Sequence, residues 1–322
     1  VLRVNVYTSA REFEQLRSRW ESICIKDQAT IFQDFDWNLL AARMFGHREM
    51  PFVVCAEASY GLAIIPAVRR GIDQSLRLLG EELFDYRSLL YAGDQQVLRS
   101  ALAALAHVQE PLEVVAVREC DRQPAMDELD LLPFTAAPAV NGAQISAESF
   151  ASMHSRLGRN LRRFKKLGFD LRLHQGNTSQ MIREIYARKA MQDPSSLFHD
   201  PGRVEFIVRA AQLSPQRCEI FTLERGPRLA AALVTWRDGN ARRFYTGWFD
   251  LEYGKLSPAM TLIYEVTCQS LASGLSCDYM TGEQPYKLRL ATNSMPLYRL
   301  RATPKQLAAL SEELMPELRL AG

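Results

Sequence analysis

The stretch from Cys218 to Phe249 constrains the fold more than any other. It reads CEIFTLE, RLAAALVTW and ARRFYTGWF, separated by the turn signals Arg225-Gly226 and Asp238-Gly239-Asn240. Three strand-like segments joined by two such short turns make an antiparallel meander. The first half carries a similar signal: PFVVCAE and GLAIIPAVR flank Ala-Ser-Tyr-Gly, and RLLG offers a third strand.

Helical periodicity surrounds both meanders. In the first half the strand VNVYT precedes Phe13, Leu16, Trp20 and Ile23 at helical spacing, with Thr8 or Ser9 as cap. The segment DWNLLAARMFG stops at Gly46, and QVLRSALAALAHV leads into the strand LEVVAV. In the second half ESFASMHSRLGRNLRRFKKLG reads as one helix, followed by the strand FDLRLH and a helix from about Thr178 to Met191. After the meander and the loop DLEYGKLS, a helix runs from Pro258 to Ser273, Gly274 stops it, and CDYMT is a strand. Pro124, Pro133 and Pro138 lie in an aperiodic stretch between Arg122 and Gln144 that reads as a junction. The element order predicts an α/β (α+β) chain of two similar modules in tandem, residues 1–140 and 141–322, each a mixed, mostly antiparallel sheet flanked by helices. A last helix is expected over TPKQLAALSEELM.

Composition bounds the function. With 322 residues, 47% of them hydrophobic and 24% charged, the chain can bury two cores. A formal charge of +2 gives no global pull toward nucleic acid or an anionic membrane. Cys24, Cys55, Cys120, Cys218, Cys268 and Cys277 form no C-x-x-C pair and no Cys/His metal spacing, so reduced thiols and no metal are expected. No run of eighteen apolar residues and no signal-peptide pattern is visible, which points to a cytoplasmic protein without a membrane span, although the sequence starts at Val1 rather than Met. No G-x-S-x-G context supports a covalent triad, and His199, in the loop-like LFHDPGR with Asp200 next to it, reads as a lone solvated loop histidine.

From about Phe150 to Arg301 the sequence resembles the GNAT-like acyltransferases of the CelD type, associated with cellulose and other exopolysaccharides, and more distantly the FemABX peptidyltransferases. The resemblance rests on RLGRNLRRFKKLG, on FYTGWFD, on YGKLSPAM and on G-x-x-x-Y-K from Gly282 to Lys287. In the first half only FDYRSLL, Phe84 to Leu90, is similar. It implies tandem GNAT-like folds, a bacterial acyltransferase, and acyl-CoA (acetyl-CoA or longer) as co-substrate. The acceptor it implies is an amine of a sugar, an amino acid or an envelope or exopolysaccharide precursor, that is, a small molecule or glycan precursor.

The resemblance also implies roles for residues. Lys255, Ser257, Ala259 and Met260 lie at the helix start where the donor's pyrophosphate would meet unpaired N–H groups and the positive end of the helix dipole. Ser257 and Pro258 equally fit an ordinary N-cap and first helical position. Only Gly254 of the usual glycine pair is present, which leaves room for an acyl carrier protein or charged tRNA as donor. Arg156, Arg159, Arg163 and Lys166 share one helical stripe, with Arg162 and Lys165 beside it, opposite Leu157, Leu161 and Phe164. That stripe is either a phosphate clamp, with Arg159 and Arg163 binding substrate, or a solvated face. Glu283 or Asp278 would be general base, its affinity for protons raised by partial burial. Lys287 would stabilise an oxyanion, and Tyr286 would hold substrate or protonate the leaving group. In the plainer reading Tyr286 and Lys287 begin an edge strand with the ammonium in water. Tyr245 and Trp248 are set against Phe244 and Phe249, one pair on each side of the last meander strand, as core or as a stacking surface. Asp85 and Tyr86 line a substrate cleft or cap a turn. A non-catalytic subunit of an exopolysaccharide assembly remains the alternative to an enzyme.

Overall fold

The computed structural model describes residues 1–24, 29–80, 82–311 and 319–320. The chain divides into two compact units, Val1–Thr135 with Pro296–Gly322, and Ala136–Met295.

In the first unit β1 (Arg3–Tyr7) leads to the short helices α1 (Ala10–Phe13) and α2 (Arg17–Ile23). The Ser9 hydroxyl caps α1 by accepting the Glu12 N–H, and Phe13, Leu16, Trp20 and Ile23 are all buried, as their spacing predicts. Next come α3 (Phe35–Phe45) and the hairpin of β2 (Glu49–Ala58) with β3 (Gly61–Arg70). The other side of β3 is shared by β4 (Ser75–Leu78) and β5 (Leu90–Gly93). β5 has no counterpart in the sequence reading because LYAG is too short to show alternation. Then α4 (Gln95–Ala104) places Val97, Leu98, Ala101 and Leu102 in the core of this unit, and β6 (Leu112–Arg118) follows.

The stretch expected to be an irregular junction is instead largely a strand, β7 (Asp130–Val140). Its prolines are compatible with an extended chain, since their fixed φ suits extended backbone. In the second unit α5 (Ala147–Met153) and α6 (Ser155–Lys166) replace the single helix expected there. His154 breaks it at φ −111° and ψ 32°, with its ring 4.6 Å from that of Phe150. β8 (Asp170–His174) and α7 (Ser179–Gln192) match expectation, whereas α8 (Pro201–Leu213) was not foreseen. Asp200 caps its start by accepting the Gly202 N–H, and Pro201 occupies the first turn.

The expected meander is present as β9 (Cys218–Arg225), β10 (Arg228–Asp238) and β11 (Ala241–Phe249), antiparallel throughout. α9 (Pro258–Ala272) and β12 (Ser276–Asp278) come next, then α10 (Pro285–Leu290). The sheet of this unit runs in the order β7, β12, β11, β10, β9, β8, with β11 and β12 parallel and the other pairs antiparallel. One face packs on α9 through Phe221, Leu233, Phe244, Leu262 and Val266. Burying each such side chain contributes about 1.5–3 kcal/mol.

The chain then returns to the first unit. β13 (Asn293–Ala302) pairs with β6 through Leu297–Ala302, and α11 (Pro304–Ala309) places Leu307 in the first core. The tail expected with the second module therefore belongs to the first unit from Pro296 onward. The remainder of the expected TPKQLAALSEELM helix, beyond Ser311, lies outside the described residues. β14 (Arg319–Leu320) runs parallel to β1. Among the described residues, no helix is long and apolar enough to cross a membrane.

Candidate functional site

Two neighbouring strands of the second unit part company at its centre. β11 and β12 are in register only over Ala241–Arg243 and Ser276–Asp278. Beyond Asp278 the chain stays with β7, where Tyr279 N–H donates to Pro138 O at 3.0 Å and Gly282 N–H to Ala136 O at 2.9 Å. β11 meanwhile continues to Phe249 paired with β10 alone. A fork opens between β11 and the segment after β12.

A bulge shapes the open strand. Thr235 faces Phe244 and Val234 faces Thr246, so Tyr245 is the extra residue. Five positions apart, Phe244 and Phe249 would point to opposite sides of a regular strand; the bulge puts both against the α9 core. The other side receives Thr246, whose hydroxyl lies 3.1 Å from that of Tyr186, and Trp248, under the Arg188 guanidinium at 5.1 Å. Trp248 is buried, Tyr245 is half-buried, and Gly247 between them is exposed. The strand therefore offers bare backbone at that point.

The segment Tyr279–Gln284 forms the other arm of the fork. Asp278 accepts the Met280 N–H at 2.8 Å and holds Met280 in the left-handed region at φ 67°. Gly282 has φ 105°, a value that favours glycine. Pro285 starts a helix rather than an edge strand, with Lys287 N–H donating to Gln284 O at 2.9 Å. Its first turn carries the Lys287 ammonium inward, away from water: Nζ donates to Thr281 O at 2.7 Å and Met280 O at 3.2 Å, and the residue is 8% exposed. Glu283 and Tyr286 are exposed, so the partial burial expected of Glu283 is not found. Asp278 is half-buried and engaged, its second oxygen taking Arg243 Nη1 at 2.5 Å. Burial pushes the neighbouring Cys277 thiol up to about 11 and the Tyr279 phenol well above its ordinary value, so both stay protonated at neutral pH.

The helix start beyond β11 differs from an ordinary cap. Asp250 accepts the Glu252 N–H and begins a short 3-10 segment, Leu251–Leu256. Ser257 lies at φ 49° and ψ 62° and makes no side-chain capping bond, which corrects the expected N-cap. Thr261 N–H closes on Ser257 O at 2.9 Å. Pro258 has no N–H, so the N–H groups of Ala259 and Met260 are the first-turn donors left without an intrahelical partner. Lys255 is exposed beside them.

α6 is fastened to this loop. Asn160 Nδ2 donates to Leu256 O at 2.9 Å, and the Tyr253 ring packs on Phe164 and Phe169 at 6.1 and 5.0 Å. Leu161 and Phe164 are buried, as the stripe pattern predicts, and Arg156, Arg159, Arg162, Arg163, Lys165 and Lys166 are exposed. None of these six cations has an ion-pair partner among the described residues. They span about 15 Å of helix beside the loop.

Asp85 and Tyr86 are not part of this arrangement; they lie in the first unit. Tyr86 is fully buried there, edge-on to Phe32 at 5.9 Å with Arg118 5.8 Å above its ring. Sequence reasoning missed Arg243, Asp238 and Arg217. Arg243 Nε meets Asp238 Oδ2 at 2.7 Å, and Arg217 Nη2 meets Asp238 Oδ1 at 2.8 Å. The run DGNARR held the signal, since two arginines opening a central strand demand buried carboxylates.

Comparison with known proteins bears on the fold of both units. Residues 151–288 match the family described as acetyltransferase (GNAT) domain. Among solved structures, the C-terminal domain of a putative lysylphosphatidylglycerol synthetase from Agrobacterium fabrum superposes with a TM-score of 0.60 at 11% identity, covering 94% of this chain and 95% of that one. FemX gives 0.55 at 9% identity over 85% and 93%. A tandem GNAT protein from the clavulanic acid biosynthesis pathway gives 0.52 at 9% over 94% and 99%. No curated protein matches the sequence. The fold is mixed α/β and tandem-GNAT-like, and within it residues 151–288 are the part that matches the GNAT domain family.

Proposed function

We propose that the second unit transfers an acyl group from a thioester, acyl-CoA in the first instance, to an amine of a sugar, amino acid or envelope precursor. The observation that carries this reading is the fork between β11 and the Tyr279–Gln284 segment, with the α9 N-terminus at the end of β11. The acyl arm would lie along the bare backbone at Gly247, and the donor's phosphates would meet the Ala259 and Met260 N–H groups and Lys255. Ser257 and Pro258 make this cradle poorer in donors than a glycine pair would.

The exposed Glu283 carboxylate takes a proton as the acceptor nitrogen adds to the thioester carbonyl. The buried Lys287 ammonium is a fixed positive charge for the oxygen that becomes anionic. When the C–S bond breaks, the Tyr286 hydroxyl supplies the proton to the leaving thiolate. Asp278, already engaged by Arg243 and the Met280 N–H, is assigned to holding the segment rather than to proton transfer.

The test is ligand-dependent stabilisation. Acetyl-CoA or a longer acyl-CoA at about a hundred times its dissociation constant should stabilise the protein by about 2.7 kcal/mol. Lys255→Glu should weaken the effect. An unchanged melting profile across acetyl-, longer acyl- and free CoA would remove CoA as donor.

A second reading, an aminoacyl ester on tRNA as donor, is favoured by the six cations of α6 that lack ion-pair partners. It predicts binding of tRNA that falls steeply with salt. The same surface would serve an acidic acyl carrier protein.

A further inference from the structure

The two strands at the root of the fork are joined by a line of charge that the proposed chemistry does not use. Arg217, before β9, pairs with Asp238 at the end of β10. Asp238 pairs with Arg243 on β11, and Arg243 reaches Asp278 on β12. Arg243, Asp238 and Asp278 have side-chain exposures of 10, 7 and 13%. Three charged side chains removed this far from water are costly unless each is paired, and here each is.

The line does not end at Asp278. One carboxylate oxygen holds Arg243 and the other holds the Met280 N–H at 2.8 Å. That second bond accompanies a left-handed Met280, φ 67°, a conformation disfavoured for a residue with a side chain. With Met280 in this state, its carbonyl and that of Thr281 both accept from Lys287 Nζ. A right-handed or extended Met280 would turn its carbonyl elsewhere and open the clamp.

We infer that Arg243 is a positioning residue: through Asp278 and the left-handed Met280 it fixes the carbonyl clamp that sets the place of the Lys287 ammonium. The pairing of Arg243 with Asp238, itself held by Arg217, keeps the guanidinium from following Asp278 if the segment moves. The inference rests on the proposed role of Lys287 for its catalytic meaning, but the structural coupling stands apart from any substrate.

The experiment is competitive acetylation of the full chain with acetic anhydride over a range of pH, read by mass spectrometry, with exposed Lys255 as internal reference. Amide exchange is followed in parallel. In the native protein Lys287 should react at least tenfold more slowly than Lys255. In Arg243→Met the Lys287 to Lys255 ratio should rise at least fivefold and exchange over Tyr279–Gln284 should accelerate, with the β9 and β10 amides unchanged. Arg243→Lys should restore part of the protection. If Arg243→Met does not fold, Asp278→Asn provides the milder test. It keeps the side-chain size and an acceptor for the Met280 N–H but removes the charge that Arg243 meets, and a twofold or larger rise in the ratio is expected.

An unchanged ratio in folded variants overturns the inference. So does faster exchange spread evenly over the unit, because that reports general loosening. Changed labelling together with full acyl transfer by Lys287→Met would leave the coupling in place and remove the catalytic role of Lys287. Unchanged labelling with transfer lost in Lys287→Met would do the reverse.

Discussion

Replacing Ser257 tests the unusual start of α9. Ser257 lies at φ 49° and makes no side-chain capping bond. A left-handed residue with a Cβ carries about 1–2 kcal/mol of strain, and glycine relieves it while adding about 0.5–1 kcal/mol of unfolded-chain entropy. Ser257→Gly should therefore stabilise the second unit by about 0.5–1 kcal/mol. With an urea slope of about 2 kcal/mol per M, the unfolding midpoint rises by roughly 0.3–0.5 M. Ser257→Ala keeps the strain and loses no capping bond, so it should fall within about 0.3 kcal/mol of the parent, where an ordinary N-cap serine would lose about 1 kcal/mol. Urea unfolding followed by tryptophan fluorescence and by circular dichroism separates the cases. A loss near 1 kcal/mol in Ser257→Ala, or any destabilisation by Ser257→Gly, would refute the left-handed, uncapped description. The same Ser257→Gly variant should bind acyl-CoA no more weakly than the parent.

Charge reversal at Arg159 and Arg163 should leave stability within about 0.5 kcal/mol, since both are exposed. The salt slope of polyanion binding should drop by about 2, and filter binding against an RNA hairpin at several salt concentrations measures it. Glu219 and Arg242 form a buried pair, 3 and 8% exposed, that also engages Ser270. Glu219→Ala should cost about 3–5 kcal/mol by stranding Arg242, while Glu219→Leu with Arg242→Met should cost less than the single change, as denaturation of each variant would show. Burial raises Cys218 to about 12 and Cys277 to about 11. At pH 8 about one Cys277 thiol in a thousand is ionised, so iodoacetamide should label exposed Cys120 well before Cys218 or Cys277, and equal rates by peptide mapping would contradict the burial. The labelling of Cys277 should rise as pH is raised toward 11, because a thiol whose affinity for protons is raised becomes reactive only as pH approaches that value.

The elements with strong local signals were legible in the sequence. The meander followed from Gly226 and Gly239 between alternating apolar runs, and the cationic stripe of α6 from three- and four-residue spacing. What escaped was set by contacts distant in sequence. β7 carries Pro133 and Pro138, which read as punctuation, yet its partners at Cys277 and Asp278 are almost 140 residues away. β13 pairs with β6 across a still wider gap, from Leu297 opposite Arg118 to Ala302 opposite Leu112. At the candidate site, Lys287 was found by its place in a motif, but its inward course depends on a helix begun by Pro285 and on two carbonyls turned by Met280. Neither a left-handed methionine nor an uncapped left-handed serine leaves a mark in the residue pattern. Taken singly, Arg243 carries no such mark either, because an arginine in a strand is usually at the surface, and the two carboxylates beside it, Asp238 and Asp278, come from neighbouring strands.

The chain's return at Pro296 bears on how the protein is made. Residues 136–295 are consecutive and can gather as soon as they leave the ribosome, whereas β6 has to wait for Leu297–Ala302 before its edge is covered. At about 5–20 residues per second, that wait is roughly 10–40 s. During it the first half of the nascent chain exposes an unpaired strand edge of the sort that chaperones protect.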